Sequence, residues 1–276
     1  MSTLKQLLQT GRELLKQQGI ADANVDAWYL LTHVFGLTRT DLLLKGDMQA
    51  DEGKSNLYME LIKRRSNHVP LQHITGSQEF MGLEFYVNED VLVPRQDTEI
   101  LVSEVLKICE QKSVLDMCTG SGCIIISLAL LGNLTEAVGV DLSEKALTVA
   151  AKNVDKHKAQ VKLIQSDLFS EVEGSFDILV SNPPYIPSGD IPELMPEVKD
   201  FEPMLALDGS EDGLAFYRRI SKRSKNHLKQ GGLIFYEIGH NQGEAVKRIL
   251  ETEGFTDVTI KKDLSGLDRV VSARRS

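Results

Sequence analysis

The sequence predicts an α/β protein: a doubly wound, mostly parallel sheet of seven strands, preceded by a small N-terminal helical bundle and a linking β-hairpin. Three observations carry this. Apolar residues recur at helical spacing through residues 1–75. Residues 76–93 alternate and are rich in aromatic and β-branched side chains. From Ser113 onward, short apolar runs alternate with helical segments, the pattern of a sheet covered by helices on both faces.

Taken in order, Leu4, Leu7, Leu8, Leu14 and Leu15 form one helical stripe, and Trp28, Leu30, Leu31, Val34 and Phe35 a second. Gly19, Gly36 and Gly46 stand where these helices should stop. A further helix is expected from Lys54 to Asn67, ending before Pro70. Gly82 and Asn88 mark turns in the hairpin region. Strands are expected at Val114–Met117, Ala137–Val140, Val161–Ile164, Phe176–Val180, Gly232–Glu237, near Val258 and near Val270. Helices are expected from Gly120 to Gly132, after Ser143, and from Gln242 to Glu251. The domain boundaries that follow are 1–75, 76–93 and 94–276.

Composition excludes several classes of function. Cys109, Cys118 and Cys123 are odd in number and lack CxxC spacing, which argues against a disulfide framework or a zinc site. The histidines show no HExxH pattern, and there is no GxSxG elbow. No apolar run approaches the roughly eighteen residues of a membrane helix, and the N-terminus has no targeting character, so a cytoplasmic monomer is expected. The net charge is −9. Residues 1–80 carry nine basic and nine acidic side chains, so the acidic excess lies in residues 81–276. A duplex-binding protein usually carries a basic footprint, so nucleic acid is not an expected partner.

Four motifs fall at predicted strand ends, where open α/β sheets bind ligands. The first is Asp116-Met117-Cys118-Thr119-Gly120-Ser121-Gly122, whose glycines let the backbone approach a ligand closely. Asp141 ends the next strand about twenty residues on and is placed to accept from ribose hydroxyls, with Leu142 beside it. Ser143 is the better helix cap. In Ser166-Asp167-Leu168-Phe169, Asp167 is placed to accept from an adenine amino group, and Leu168 or Phe169 to pack on the base. These three suit any adenosine-bearing ligand.

The fourth motif, Ser181-Asn182-Pro183-Pro184-Tyr185, separates the possibilities. Two prolines fix φ, remove two backbone donors and leave a stiff turn that presents carbonyls. The Asn182 side-chain oxygen and the Pro183 carbonyl suit the two hydrogens of a planar –NH2 group, and Tyr185 offers a flat face. Such a site orients a poorly nucleophilic nitrogen and favours positive charge developing on it. An activated methyl donor such as S-adenosylmethionine then needs neither metal nor covalent nucleophile.

This order of motifs resembles the amino-group methyltransferases that use S-adenosylmethionine. A closer resemblance is to the PrmC (HemK) family. It spans PLQHITG (70–76), GSQEFMGLEF, VLVPRQDTE, SDLF, SNPPYIP, EVKDFEPMLALDGSEDGLAFYR (197–218), GGLIFYEIGHNQGEAV and KDLSGLDRVV. The resemblance implies a Rossmann-like methyltransferase sheet and transfer of methyl to N5 of the glutamine in the Gly-Gly-Gln motif of class 1 peptide-chain release factors, with S-adenosyl-L-homocysteine as product. It implies cofactor contacts at Cys118, Thr119, Gly120, Ser121, Gly122, Asp141, Leu142, Asp167, Leu168 and Asn182. It implies a substrate glutamine held by Asn182, Pro183, Pro184 and Tyr185, with catalysis by Asn182, Pro183 and Tyr185, and an N-terminal bundle that docks the protein substrate. Glutamine methylation of a large-subunit ribosomal protein, or adenine-N6 methylation of DNA, are the competing activities.

Two positions depart from the family pattern. Cys118 stands where glycine is usual, and must avoid positive φ or bear strain. Gln96 replaces the second proline of a usual Pro-Arg-Pro. Arg95 is open to two readings, a cleft residue or a surface ion pair with Glu99. The basic run Arg218–Lys225 is expected on a solvated helix face. Glu202-Pro203 and Asp208-Gly209 suggest turns, Glu211-Asp212 a first helical turn, and residues 197–218 a lid or a loop. Glu237 ends the fifth strand, where it either faces the cleft or, as expected, makes a structural hydrogen bond.

Overall fold

A computed structural model describes residues 2–276, which divide into two compact units. One holds the chain up to Gly76 together with Met195–Phe201; the other holds Ser77–Leu194 and Glu202–Ser276. Among the described residues, no helix is long and apolar enough to cross a membrane.

The first unit contains α1 (Leu4–Gln17), α2 (Ala23–Phe35), α3 (Arg39–Lys45), α4 (Glu52–Ser66) and α5 (Leu71–Thr75). A capping box starts α1: the Thr3 side chain accepts from Gln6 N, and the Gln6 side chain accepts from Thr3 N. Gly36 ends α2 at a φ of 67°, a left-handed position that glycine takes at low cost. The core is Leu7, Leu15, Leu30, Leu31, Tyr58 and Ile62. Tyr58 crosses it and donates from its hydroxyl to the Ala27 carbonyl at 3.2 Å.

Arg65 is buried, and a buried cation needs partners. Its Nε donates to Asp26 at 2.7 Å and its Nη2 to Glu197 at 3.0 Å, while His68 Nδ1 stands 3.1 Å from the same Glu197 oxygen. Two carboxylates and a guanidinium thus tie a distant segment, Met195–Phe201, to the helices.

The second unit opens with β1 (Ser77–Phe80) and β2 (Leu83–Tyr86), an antiparallel hairpin. Met81 and Gly82 both have positive φ at its turn, the backbone sense that matches strand twist. There follow α6 (Thr98–Leu106), β3 (Ser113–Met117), α7 (Cys123–Leu131), β4 (Glu136–Asp141), α8 (Glu144–His157), β5 (Lys162–Gln165) and β6 (Phe176–Ser181). Then come α9 (Ala215–Ser224), β7 (Leu228–Glu237), α10 (Gly243–Thr252), β8 (Phe255–Lys262) and β9 (Asp268–Arg275). The sheet order is β5-β4-β3-β6-β7-β9-β8, with β9 antiparallel to both of its neighbours and the other pairs parallel. The chain runs outward from β3 to β5, then returns to lay β6 on the other side of β3. That reversal opens a crevice at the carboxyl ends of β3, β4 and β6.

Among the boundaries that differ from the sequence expectation, two bear on the cavity and its surroundings. The helix expected from Gly120 begins at Cys123, because Cys118, Gly120 and Gly122 have φ of 65°, 54° and 80°, outside the right-handed helical region. Asp212 lies before α9 rather than in its first turn. Its carboxylate accepts from Leu214 N and pairs with Arg218.

Gly11 packs under Tyr58 so closely that a Cβ there would come 2.0 Å from the phenol oxygen. Glycine to alanine within a helix normally stabilises by about 1 kcal/mol. Here Gly11→Ala is expected to lower the midpoint of thermal unfolding, and adding Tyr58→Phe to recover part of the loss. Melts followed by circular dichroism check both; a midpoint at or above wild type for Gly11→Ala would contradict this packing.

Candidate active site

A cavity of about 160 Å³ lies at the carboxyl ends of the central strands. Cys118, Thr119, Gly120 and Ser121 form one wall, Asp141, Leu142 and Ser143 a second, Ser166, Asp167 and Leu168 a third, and Asn182 and Pro184 a fourth. All four sequence motifs therefore meet at one place. Gly122, Pro183 and Tyr185 stand behind this surface rather than on it. Gly122 caps α7. Pro183 is buried, and Tyr185 packs against the core beneath the sheet.

The loop after β3 is held by side chains of the strands themselves. Asp116 is fully buried and accepts from Thr119 Oγ1 at 2.6 Å, while Thr119 N donates to the Val140 carbonyl at 2.9 Å. Asp141 accepts from Gly120 N at 2.8 Å and from Ser143 N at 2.9 Å. Ser143 caps α8 through Ala146 N, as expected. Gly139 on β4 leaves room for this loop, since a Cβ there would stand 3.0 Å from Thr119 Oγ1. Cys118 takes the positive φ that the sequence made costly, 65°. Burial, helped by the nearby Asp141 and Asp116 carboxylates, pushes its thiol far up, so it is a packed neutral group and no nucleophile.

The third wall departs from expectation. Asp167 is exposed, and its carboxylate receives Arg219 of α9 at 2.7 and 3.0 Å. Phe169 lies outside the cavity, stacked on His227 with ring centroids 4.7 Å apart, which leaves Leu168 as the apolar group on this wall. The basic run is likewise engaged rather than simply solvated: Arg218 pairs with Asp212 and Arg219 with Asp167.

Arg95 lines the cavity but does not pair with Glu99, whose carboxylate instead accepts from Met81 N at 2.7 Å. Arg95 donates to both oxygens of Glu202 at 2.7 Å, and Val93 N donates to the same group at 3.1 Å. Glu202, which the sequence suggested as a turn residue, is a buried anchor. It places Pro203, Leu205 and Ala206 on the cavity rim. Thr98 and Phe216 are further lining residues that no local motif marks, and Arg219, from the basic run, is a third.

Residues 6–76 match the PrmC N-terminal domain family, and residues 95–194 match the methyltransferase small domain family. A release factor glutamine methyltransferase of Clostridium acetobutylicum is 42% identical, the alignment covering 99% of this chain and 98% of the relative. The chain belongs to the release factor glutamine methyltransferase family. A second such relative, from Geobacter sulfurreducens, is 39% identical over 99% of this chain and 96% of its own. In fold, the chain is similar to a methyltransferase from Pyrococcus furiosus, with a TM-score of 0.56 at 16% identity over 71% of this chain and 91% of that one.

Two stability predictions follow from the loop. A β-branched residue tolerates the left-handed region poorly, at a cost of about 1–3 kcal/mol. Cys118→Val should therefore melt below both wild type and Cys118→Gly; equal midpoints for the valine and glycine variants would show the loop able to relax. Asp116 has one oxygen, Oδ1, without a partner among the described residues, and burial pushes its carboxyl up to about 7. The free group ionises near pH 4. Between these values the unfolded chain binds fewer protons, so stability falls as pH rises. Asp116→Asn should raise the midpoint more at pH 8 than at pH 5, and an equal shift at both pH values would contradict this.

Proposed function

We propose that this chain transfers the methyl group of S-adenosylmethionine to the side-chain amide nitrogen, N5, of the glutamine in the Gly-Gly-Gln motif of class 1 release factors. The observation that carries this is the position of Asn182. It follows β6 directly, shares a cavity wall with Pro184, and faces the same space as the β3 loop and Asp141.

The residues present fit an adenosine-bearing sulfonium. Asp141 spends one lone pair of each oxygen on Gly120 N and Ser143 N, and an ionised carboxylate has about four acceptor positions, so it can still take ribose hydroxyls. Leu168 offers an apolar contact for a base. Asp167 serves an adenine amino group only if it shares its oxygens with Arg219. When bound, the cofactor supplies the activated methyl.

The chain's own contribution is orientation. Asn182 Oδ1, on the cavity wall, takes an amide hydrogen, which turns the nitrogen towards the methyl and favours positive charge as the C–N bond forms and the C–S bond breaks. One of the two amide hydrogens then leaves as a proton to solvent water. Tyr185 packs behind the wall that Asn182 and Pro184 form and backs it; burial holds its hydroxyl in the neutral form. The helical unit of residues 1–76 docks the protein substrate, and the enzyme acts as a monomer without a nucleic-acid partner.

Purified protein, radiolabelled S-adenosylmethionine and an unmodified class 1 release factor should yield labelled factor, and a factor whose Gly-Gly-Gln glutamine is alanine should not. Asn182→Ala should lower kcat by about 100-fold or more, a larger loss than any it causes in S-adenosylhomocysteine affinity. Label in neither factor would overturn this reading in favour of the ribosomal-protein glutamine.

A further inference from the structure

An asparagine amide works as an acceptor in only one of its two orientations, because its oxygen and nitrogen are nearly isosteric. Turned the wrong way, Asn182 would aim donors at the donors of the substrate –NH2 group. The groups behind the side chain decide which way it faces.

Two groups stand there. Thr98, at the start of α6, has its hydroxyl 3.4 Å from Asn182 Nδ2. A hydroxyl both donates and accepts, so Thr98 alone fixes neither orientation. Glu237 ends β7, beside β6 in a register that pairs Ser181 with Tyr236. Glu237 follows Tyr236 as Asn182 follows Ser181, so the two stand side by side where β7 and β6 end. Glu237 is 2% exposed, and its Oε2 has no hydrogen-bond partner among the described residues. A buried oxygen left this way is costly and calls for an explanation. An ionised carboxylate only accepts, so it breaks the tie that the hydroxyl leaves.

We propose that Glu237, acting with Thr98, is the positioning residue that turns Asn182 Nδ2 inward and so aims Oδ1 at the substrate amide. This rests on the glutamine-methylation reading above. The carboxylate draws on the Nδ2 hydrogens and leaves Oδ1 richer in electron density, the sense that favours charge growing on the acceptor nitrogen. Thr98 completes the set: accepting from Nδ2, it is free to donate its own hydrogen to Glu237.

The titratable and charged groups whose fields reach Glu237 are Arg269 on β9, Asp97 ahead of α6, Tyr185 after β6, Tyr217 on α9 and Cys123 on α7. Burial outweighs the help from Thr98, Arg269 and Asn182 and pushes Glu237 up to about 7. Below that value the group gains a proton, becomes a donor as well, and loses its control of Asn182. The orienting form is therefore the one present at higher pH, and kcat should rise with pH through about 7 before levelling.

The experiment compares wild type, Glu237→Gln, Thr98→Val and Thr98→Ser in steady-state methylation of a release factor from pH 5.5 to 9, with S-adenosylhomocysteine affinity and melting midpoint measured alongside. A glutamine amide can face either way, so Glu237→Gln is expected to lose about 100-fold in kcat and its pH limb. Its affinity for S-adenosylhomocysteine should stay within about threefold. Thr98→Val should lose kcat and Thr98→Ser recover it. Wild-type kcat and pH limb in Glu237→Gln, or loss of cofactor-analogue binding in step with kcat, would overturn the proposal. If Glu237→Gln does not fold, the threonine pair decides, and equal kcat for valine and serine sinks the idea. Failure of the function itself reads differently: wild type would leave the factor unlabelled.

Discussion

The site depends on one carboxylate that two strands share. Asp141, the last residue of β4, accepts from the backbone of Gly120 in the loop after β3 and from the backbone of Ser143 at the head of α8. Neither loop could hold its shape alone. The β3 loop passes through positive φ at Cys118, Gly120 and Gly122, which costs conformational energy and makes no regular hydrogen-bond ladder. The β4 loop must stop a strand and start a helix within two residues. Parallel registry sets Met117 beside both Val140 and Ser181, so the three strand ends arrive together. Asp141 then locks two of them, and the Ser181 hydroxyl, donating to the Met117 carbonyl at 2.5 Å, locks the third.

Buried charge divides into two kinds. Arg65 with Asp26 and Glu197, and Glu202 with Arg95 and the Val93 amide, are satisfied groups that tie distant segments into a unit. Removing one partner from such a set strands the other, which is why these contacts are structural. Asp116 and Glu237 are the other kind. Each is buried, each keeps an oxygen without a partner among the described residues, and each is held up to about 7. They lie on β3 and β7, on either side of β6 and the asparagine that follows it. A fold that satisfies its distant carboxylates and leaves these two short of partners has placed its electrostatic cost beside the cavity at the strand ends.

Much of this was legible in the sequence. Period and punctuation located all seven strands of the sheet, and the four motifs at their ends met in one cavity. The departures have a common cause. Cys118 could be flagged as a problem at positive φ, but not whether the loop would take that conformation. Phe169 could be placed near a base, but not turned away onto His227. Arg95 had a carboxylate four residues away in Glu99, and found one 107 residues away in Glu202.

The sequence by itself determined what is local: the strands, the caps, the stiff turn at Pro183 and Pro184, and the order of motifs along the chain. These follow from periodicity, φ restriction and hydrogen bonding within a few residues, which a linear reading can see. The tertiary structure alone decided which carboxylate meets Arg95, why Met195–Phe201 belongs with Arg65, and what stands behind Asn182. Those depend on which side chains are shut away from water together. Burial is a property of the packed whole, and it raises the cost of every unmet charge until a partner, however distant in the chain, is found.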